Sequence, residues 1–474
     1  MLLSDLVAGV GSFGVELGVE TRGHSGRAAV ERIEFDSRRV RPGDLFACVK
    51  GDTVDGHTFA AQAVSAGATA LLVDRWLDVE ATQVRVDNVR EAMGWFASTL
   101  AGEPSKQLRV VGITGTNGKT TTAHLVASIC NDLGQRAEVL GTLTSTLTTL
   151  EAPRLQCQLR SFVESGLDLV AMEVSSHALA QHRVTGTHFE LGVFTNLSAD
   201  HLDYHGDLDS YFEAKALLFQ EGRIDAAVIN VGDARGAQLA ERVAVPKSTF
   251  RVDDLSDVTL SFDGSTFIWR SQQVSVGLPG LFNIENALAA AETCRALGFS
   301  EPDIAAGLAA AEAVPGRFEV VSGSRQGTAT VIVDYSHTPA GLEQVLRSVR
   351  EIDPLAPLCV VFGAGGDRDR AKRPLMGAAA SSLSDHVILT SDNPRSEDPD
   401  AIIVDIHRGT NPDSRVDIEP DRRRAIALAL ETHDPNAVVV VAGKGHETTQ
   451  TIGDTRIDFD DRAVVRELVA GGGS

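Results

Sequence analysis

The hexapeptide Gly115-Thr116-Asn117-Gly118-Lys119-Thr120 follows the apolar run LRVVGIT (108–114) and opens a helical stretch that closes at Gly134. Its glycines let the backbone curl so that amide groups and a helix N-terminus face an anion. Lys119 would reach the terminal phosphates of a nucleotide, and Thr120, followed by Thr121, would offer a hydroxyl to Mg2+. The spacing departs from the common phosphate-loop pattern, because Ile113 stands five positions before Gly118. Strand, glycine loop, Lys-Thr and helix together imply nucleotide binding. They leave kinase, hydrolase and ligase chemistry open.

Two further strand ends carry ligand-type side chains. MEVSSH (172–177) presents Glu173, and TNLSADHLDYHG (195–206) presents Asp200, His201, Asp203 and His205. If those strands are neighbours, Glu173 and His201 could meet the nucleotide phosphates at one edge of the sheet. Mg2+ prefers oxygen, so His201 would be a minority ligand. The H-x-x-x-H run also permits zinc, and His205 alone suits a structural role as well as a catalytic one. Lys215 lies in LDSYFEAKALLF (208–219), where a helical lysine taken alone is a surface residue with its stem over apolar neighbours.

The elements that must position these groups are of α/β type. DLVAMEVS (168–175), FELGVFTNL (189–197) and DAAVINVG (225–232) are apolar throughout and alternate with helical material, the signature of a largely parallel sheet. STFRVDDLSDVTLSFDGSTFIWRS (248–271) is polar and alternating, which predicts an antiparallel appendage, and NIENALAAAETCRALG (283–298) predicts a helix. The α/β style repeats after Pro315-Gly316-Arg317, in TATVIVDYS (328–336), PLCVVFGAGG (357–366), DHVILTSD (385–392) and NAVVVVAGKG (436–445). Before the Ala101–Ser105 linker, IEFDSRRVRPGDLFACV (33–49) reads as strands joined by a turn, followed by a helix (57–68) and a strand (68–73). Length agrees: 474 residues suggest about three domains at roughly 150 each.

A net charge of -22 argues against a nonspecific grip on nucleic acid or an anionic membrane. The five cysteines form no C-x-x-C pair, so neither a disulfide framework nor a structural zinc is indicated. No apolar run approaches the roughly 20 residues that span a bilayer, and the N-terminus lacks the basic flank and long apolar core of a signal peptide. The expectation is a soluble cytoplasmic protein, a monomer, acting on small molecules.

Together these residues resemble the Mur ligase family, the ATP-dependent amino-acid ligases of peptidoglycan precursor synthesis. The resemblance is carried by DSRRVRPGDLFACVKG (36–51), GITGTNGKTTTAH (112–124), MEVSSHALAQHRV (172–184), FTNLSADHLDYHGDLDSYFEAK (194–215), LPGLFNIENALAA (278–290), VPGRFE (314–319), DYSHTPAGLE (334–343), FGAGGDRDRAKRPLM (362–376), TSDNPRSEDP (390–399) and AGKGHE (442–447). It implies three α/β domains: a small mixed N-terminal domain for the UDP part (1–104), a central P-loop ATP-binding domain (105–314) and a Rossmann-like C-terminal domain for the incoming amino acid (315–474).

The resemblance also implies roles. ATP would be used with two Mg2+ ions, and Lys215 would carry a carbamate from CO2. Glu173 would bridge the ions, with His201 and carbamylated Lys215 on one and Thr120 on the other. Asn283 and Asn286 match adenine-side contacts; Arg317 and Asp334 match the groups that hold phosphates and ribose. Ser37 and Arg38 match the uridine-side motif. Thr148, Thr149, Ser175, Gln181 and Arg183 match the muramoyl-dipeptide contacts, although this chain has Thr148-Thr149-Leu150 where relatives often read T-T-P, and Ser336 where they commonly have Ala.

The segment Asp392-Asn393-Pro394-Arg395 resembles the signature for meso-diaminopimelate. An Arg fork suits the extra planar carboxylate that distinguishes this acid from lysine. Asn393 and Arg395 would hold one end of the amino acid, Gly443 and Glu447 the distal groups, and Arg368 the proximal carboxylate; DRDRAKRP (367–374) taken alone could be a solvated charge run. The implied reaction adds meso-2,6-diaminopimelate to the D-glutamate side chain of UDP-N-acetylmuramoyl-L-alanyl-D-glutamate through an acyl phosphate, giving ADP and phosphate, in cell wall biogenesis, cell shape and cell division. L-Lysine or another diamine as acceptor, or a folylpolyglutamate-synthase-like ligase, are the alternatives.

Overall fold

The computed structural model describes residues 1–11, 16–23, 28–51, 54–323, 329–432 and 435–471. Near the N-terminus, the strands Glu20–Arg22, Thr82–Arg85, Ala70–Val73, Asp44–Ala47 and Arg32–Glu34 form one sheet in that spatial order. Only Glu20–Arg22 pairs antiparallel with its neighbour. The strands Arg32–Glu34 and Asp44–Ala47 lie parallel, so the segment between them is a crossover and not a tight turn. It carries the single 3-10 turn Ser37–Arg39, capped by Asp36. The expected helix over 57–68 is shorter, a 3-10 turn Gly56–Phe59 running into Ala60–Ser65.

The central sheet runs Lys247–Phe250, Ile224–Asn230, Phe189–Phe194, Arg109–Thr114, Leu169–Glu173, Ala137–Leu140, parallel throughout. Strands buried on both faces explain the unbroken apolar runs. Arg109–Thr114 sits between the strand that ends at Glu173 and the strand that leads to His201. Those two are therefore not neighbours; they flank the strand that feeds the phosphate loop. The chain winds one way to Ala137–Leu140 and the other way to Phe189–Phe194, so the loop emerges where the direction switches, the place where open α/β sheets bind ligands.

Helix Lys119–Asp132 packs beside helix Leu281–Ala296 in one apolar cluster that includes Ile129, Cys130, Ile284, Leu288 and Cys294. The strands Ser256–Ser261, Gly264–Trp269 and Gln272–Val276 form the antiparallel appendage. Its expected first residues, however, extend the edge of the parallel sheet as Lys247–Phe250.

The third sheet runs Glu319–Ser322, Thr330–Asp334, Val438–Ala442, Leu358–Phe362, His386–Leu389, Arg415–Ile418, parallel except at Glu319–Ser322. Val438–Ala442 is wholly buried and central. A hairpin, Thr449–Ile452 with Thr455–Asp458, lies beyond it and was not expected from the sequence. The molecule is thus a three-domain α/β protein.

Candidate active site

Gly118 caps helix Lys119–Asp132 in the left-handed region, φ +83°. A Cβ there would collide with Asn286 Oδ1, so only glycine lets the loop approach that asparagine. The loop is braced by residues the sequence did not single out. Asn117 N donates to Asn196 Oδ1 at 2.9 Å, Thr195 Oγ1 donates to Asn117 O at 2.6 Å, and Ser198 N donates to Thr116 Oγ1 at 3.0 Å. The signal was the polar TNLS run directly after an apolar strand.

Lys119 Nζ donates to Gly115 O and Thr116 O, each at 2.8 Å. Thr120 Oγ1 donates to Glu173 Oε2 at 2.9 Å. Glu173, 1% exposed, also accepts from Thr142 N at 2.8 Å. Its buried negative charge is thus held by hydrogen bonds, as burial requires. Arg317 Nη2 reaches Thr120 Oγ1 at 3.3 Å from the C-terminal side.

Lys215 is not a surface residue. It is 1% exposed, its Nζ donates to Gly115 O at 2.8 Å, and it lies 4.3 Å from the centroid of the Tyr211 ring. Burial first, then the Lys119 charge, push it well below the ordinary lysine range. Burial in that setting disfavours the charged ammonium.

His201 makes no hydrogen bond to Glu173; it sits in the left-handed region at φ +54°, with its imidazole 3.5 Å from Asp200 Oδ2. Burial lowers its pKa. His177 packs against His201, Tyr204 and His205 with ring centroids 4.8, 4.2 and 5.3 Å away. His205 Nε2 lies 2.9 Å from Ser176 Oγ. Burial, with His177 next, pushes His205 down to about 4, which suits it poorly to general-base work near pH 7. Among the described residues no three His, Cys, Asp or Glu side chains cluster as a metal site. The oxygen donors brought together are Thr120 and Glu173.

A cleft opens beside the loop, lined by Asn117, Gly118, Thr120, Thr121, Phe282, Asn286, Arg317, Asp334 and Ser336. Asn286 faces it. Asn283 stands behind, fully buried, donating to Pro279 O at 2.8 Å and accepting from Asn286 Nδ2 at 3.2 Å. It supports its neighbour and does not line the cleft. Asp334 accepts from Phe318 N and Ser336 N, both at 2.7 Å. Ser336 Oγ also donates to Asp334, so the serine adds a hydrogen bond where alanine could not.

Thr148, Thr149, Ser175, Gln181 and Arg183 are brought together beyond Glu173. Thr149 Oγ1 donates to Glu173 O at 2.9 Å and accepts from Ser175 N at 3.0 Å. Arg183 donates to Thr149 O at 3.1 Å and Gln181 Oε1 at 2.8 Å, and Thr148 Oγ1 lies 3.1 Å from Thr142 Oγ1. Ser37 and Arg38 lie apart from the cleft, in the 3-10 turn between two strands of the N-terminal sheet, with Arg38 exposed and paired to Asp36 at 2.8 Å.

In the C-terminal unit, Asn393 Nδ2 donates to Glu447 Oε2 at 2.7 Å and to Asp392 Oδ1 at 3.1 Å. Lys444, which the sequence reading passed over, donates to the same Glu447 oxygen at 3.0 Å. Gly443, φ +112°, leaves room for the Asp392 carboxylate. Arg395 Nη1 donates to Gly366 O at 2.6 Å, and the unexpected hairpin fixes its backbone through Thr451 O and Gly453 N. Arg368 is exposed. The DRDRAKRP run is not uniformly solvated: Arg373 is 1% exposed and paired to Glu397 at 2.8 Å and Asp405 at 3.1 Å.

A phosphate loop at a switch point, closed from the far side by an arginine and an aspartate of a second α/β unit, defines a nucleotide-dependent enzyme. The chain belongs to the Mur ligase family. The family's catalytic domain matches residues 29–100, the Mur ligase middle domain 113–294, and the Mur ligase glutamate ligase domain 316–445. The UDP-N-acetylmuramoyl-L-alanyl-D-glutamate–2,6-diaminopimelate ligase of Geobacillus thermodenitrificans is 43% identical over 470 residues, covering 94% of this chain and 96% of the relative. The Clostridium botulinum protein of the same name is 39% identical over 93% of this chain and 95% of its own length. A solved structure of a ligase of that name superposes with a TM-score of 0.70 at 34% identity, covering 100% of this chain and 99% of its own.

Proposed function

We propose that the protein is an ATP-dependent ligase that joins meso-2,6-diaminopimelate to the D-glutamate side-chain carboxylate of UDP-N-acetylmuramoyl-L-alanyl-D-glutamate. The observation that carries the reading is full-length likeness, 43% identity across nearly the whole chain, to a relative named for that reaction. Similarity to a folylpolyglutamate synthase structure is weaker, 22% identity over 73% of this chain, and speaks to fold alone. In this reading the domains are 1–104 for the UDP part, 105–314 for ATP and 315–474 for the amino acid.

A free carboxylate is a poor acyl donor, because an amine cannot displace oxide. Transfer of the γ-phosphoryl group of ATP makes an acyl phosphate; the amine at the L centre of diaminopimelate attacks its carbonyl, and phosphate leaves from the tetrahedral intermediate. Lys119 would turn from the loop carbonyls to the moving phosphoryl group and offset its charge. Asn286, Arg317 and Asp334 would hold the nucleotide, and Thr148, Thr149, Ser175, Gln181 and Arg183 the dipeptide. Ser37 and Arg38 would meet the uridine end. Asn393, Arg395, Gly443 and Glu447 would hold the acceptor, with Arg368 at its proximal carboxylate.

The paired Thr120 hydroxyl and Glu173 carboxylate fit Mg2+ as hard oxygen donors, with His201 as a nitrogen ligand. Bound Mg2+ would neutralise phosphate charge. An unmodified ammonium at 215 would repel a cation. The buried Lys215 amine, whose charged form burial disfavours, is instead suited to attack CO2, losing a proton to give an anionic carbamate. Protein prepared with 13C-bicarbonate should show a carbamate carbonyl resonance that is absent from Lys215→Arg, and that variant should lose at least about a hundredfold in ligation.

The assignment is tested by phosphate release with ATP, Mg2+, bicarbonate and UDP-N-acetylmuramoyl-L-alanyl-D-glutamate, adding meso-diaminopimelate or L-lysine. Release only with meso-diaminopimelate, matched by the UDP-tripeptide mass, is expected. Preference for lysine would leave the ligase chemistry and remove the role given to Arg395. Release needing neither substrate would remove the ligase assignment.

A further inference from the structure

Arg317 reaches Thr120, but its own segment does little to aim it. Among the described residues its side chain makes no other hydrogen bond than the one to Thr120, and its Nε is buried without a partner. What it does touch is an aromatic ring: the guanidinium carbon lies 4.4 Å from the centroid of Tyr335. Tyr335 in turn meets His446, with centroids 4.9 Å apart and planes 43° from parallel.

His446 belongs to the loop 443–447, whose Glu447 accepts from Asn393 at 2.7 Å. The two segments are pressed together through backbone. Gly316 has φ +64°, and a Cβ on it would fall on Gly445 and on His446 N. Gly445, φ +52°, likewise meets Gly316 O and the Cβ of Tyr335. Such contact tolerates only glycine and packs the loop directly against the residue before Arg317.

We propose that Tyr335 and His446 are positioning residues that hold Arg317 against the nucleotide site, so that the loop carrying the amino-acid contact Glu447 also sets the arginine that meets ATP. The inference rests on the reading in which Thr120 and Arg317 face the phosphates. Contacts connect every link from Asn393 through Glu447, His446, Tyr335 and Arg317 to Thr120. A cation held over a partly desolvated ring is oriented by the ring's quadrupole, and the orientation is lost when the ring is removed.

The test uses the full-length protein and reads the affinity for a fluorescent ATP analogue with Mg2+, without acceptor. Tyr335→Leu should weaken binding about tenfold. Tyr335→Phe, which keeps the ring, should remain within about twofold of the parent. His446→Ala should weaken binding less than Tyr335→Leu. In steady state, KM for ATP should rise in Tyr335→Leu while KM for the UDP-substrate stays unchanged.

In an Arg317→Ala background, Tyr335→Leu should cost nothing further, because the two act as a unit. Full affinity in Tyr335→Leu, equal losses in the Phe and Leu variants, or additive losses with Arg317→Ala would each overturn the proposal. If Tyr335→Leu does not fold, His446→Ala in the two backgrounds makes the same comparison. The readout needs no acceptor, so a wrong acceptor assignment leaves it standing, whereas failure of the parent protein to bind ATP would overturn the functional reading itself.

Discussion

A single missing Cβ decides how the nucleotide loop is built. Gly118 combines a left-handed backbone with an asparagine oxygen where a side chain would begin. Gly118→Ala therefore meets a conformational cost of about 1–2 kcal/mol and must also displace Asn286. Nucleotide affinity should fall at least about tenfold by titration; unchanged affinity would refute this account of the loop. The glycine, the lysine and the threonine were legible from their order in the chain, because their chemistry is local. Lys215 was not. Its spacing reads as a surface lysine, and only the burial of its amine beside the Gly115 carbonyl shows otherwise. The bonds of Asn283 to Pro279 and Asn286 likewise cannot be read from spacing.

At the level of elements, the C-terminal sheet is tied to two helices by a buried ion pair. Arg422 opens helix Arg422–Glu431 and Asp461 opens helix Asp461–Gly471, and both side chains are fully buried. The guanidinium meets both carboxylate oxygens, at 2.7 and 2.8 Å, and donates to Ala442 O at 2.9 Å where the central strand ends. Asp461→Asn would leave an uncompensated buried cation and should destabilise by roughly 3 kcal/mol in denaturant unfolding. An apolar pair, Arg422→Met with Asp461→Leu, should recover much of that loss; a cost of Asp461→Asn under about 1 kcal/mol would contradict the argument. Long apolar strands were legible because parallel strands are buried on both faces. The hairpin 449–458 and the parallel register of Arg32–Glu34 were not, since each depends on partners distant in sequence.

Across the whole molecule, the central and C-terminal units face each other through like charges as well as through Arg317. Glu285, on helix Leu281–Ala296, is pushed up to about 7 by burial first and then by Asp233, by Glu351 at the end of helix Pro339–Ile352, and by Asp253. The folded protein therefore holds a proton between its ordinary value near 4.5 and about 7 that the unfolded chain releases. Stability from this group is full at low pH and is lost as pH rises through about 7. Glu285→Gln should stabilise at pH 8 by on the order of 1–3 kcal/mol and bring no gain below its unfolded pKa, as judged by melting at both pH values. Equal gain at both would exclude ionisation as the cause.

The sequence by itself determined the α/β class, the nucleotide loop and the family, because each is carried by residues contiguous in the chain or by the period of burial along a strand. Only the tertiary structure decided that Glu173 and His201 stand on either side of the loop strand, that Lys215 is an interior amine, and that Arg317 bonds Thr120 with the Tyr335 ring beneath it. Those facts arise from strand order and from contacts between units far apart in sequence, which local pattern does not encode.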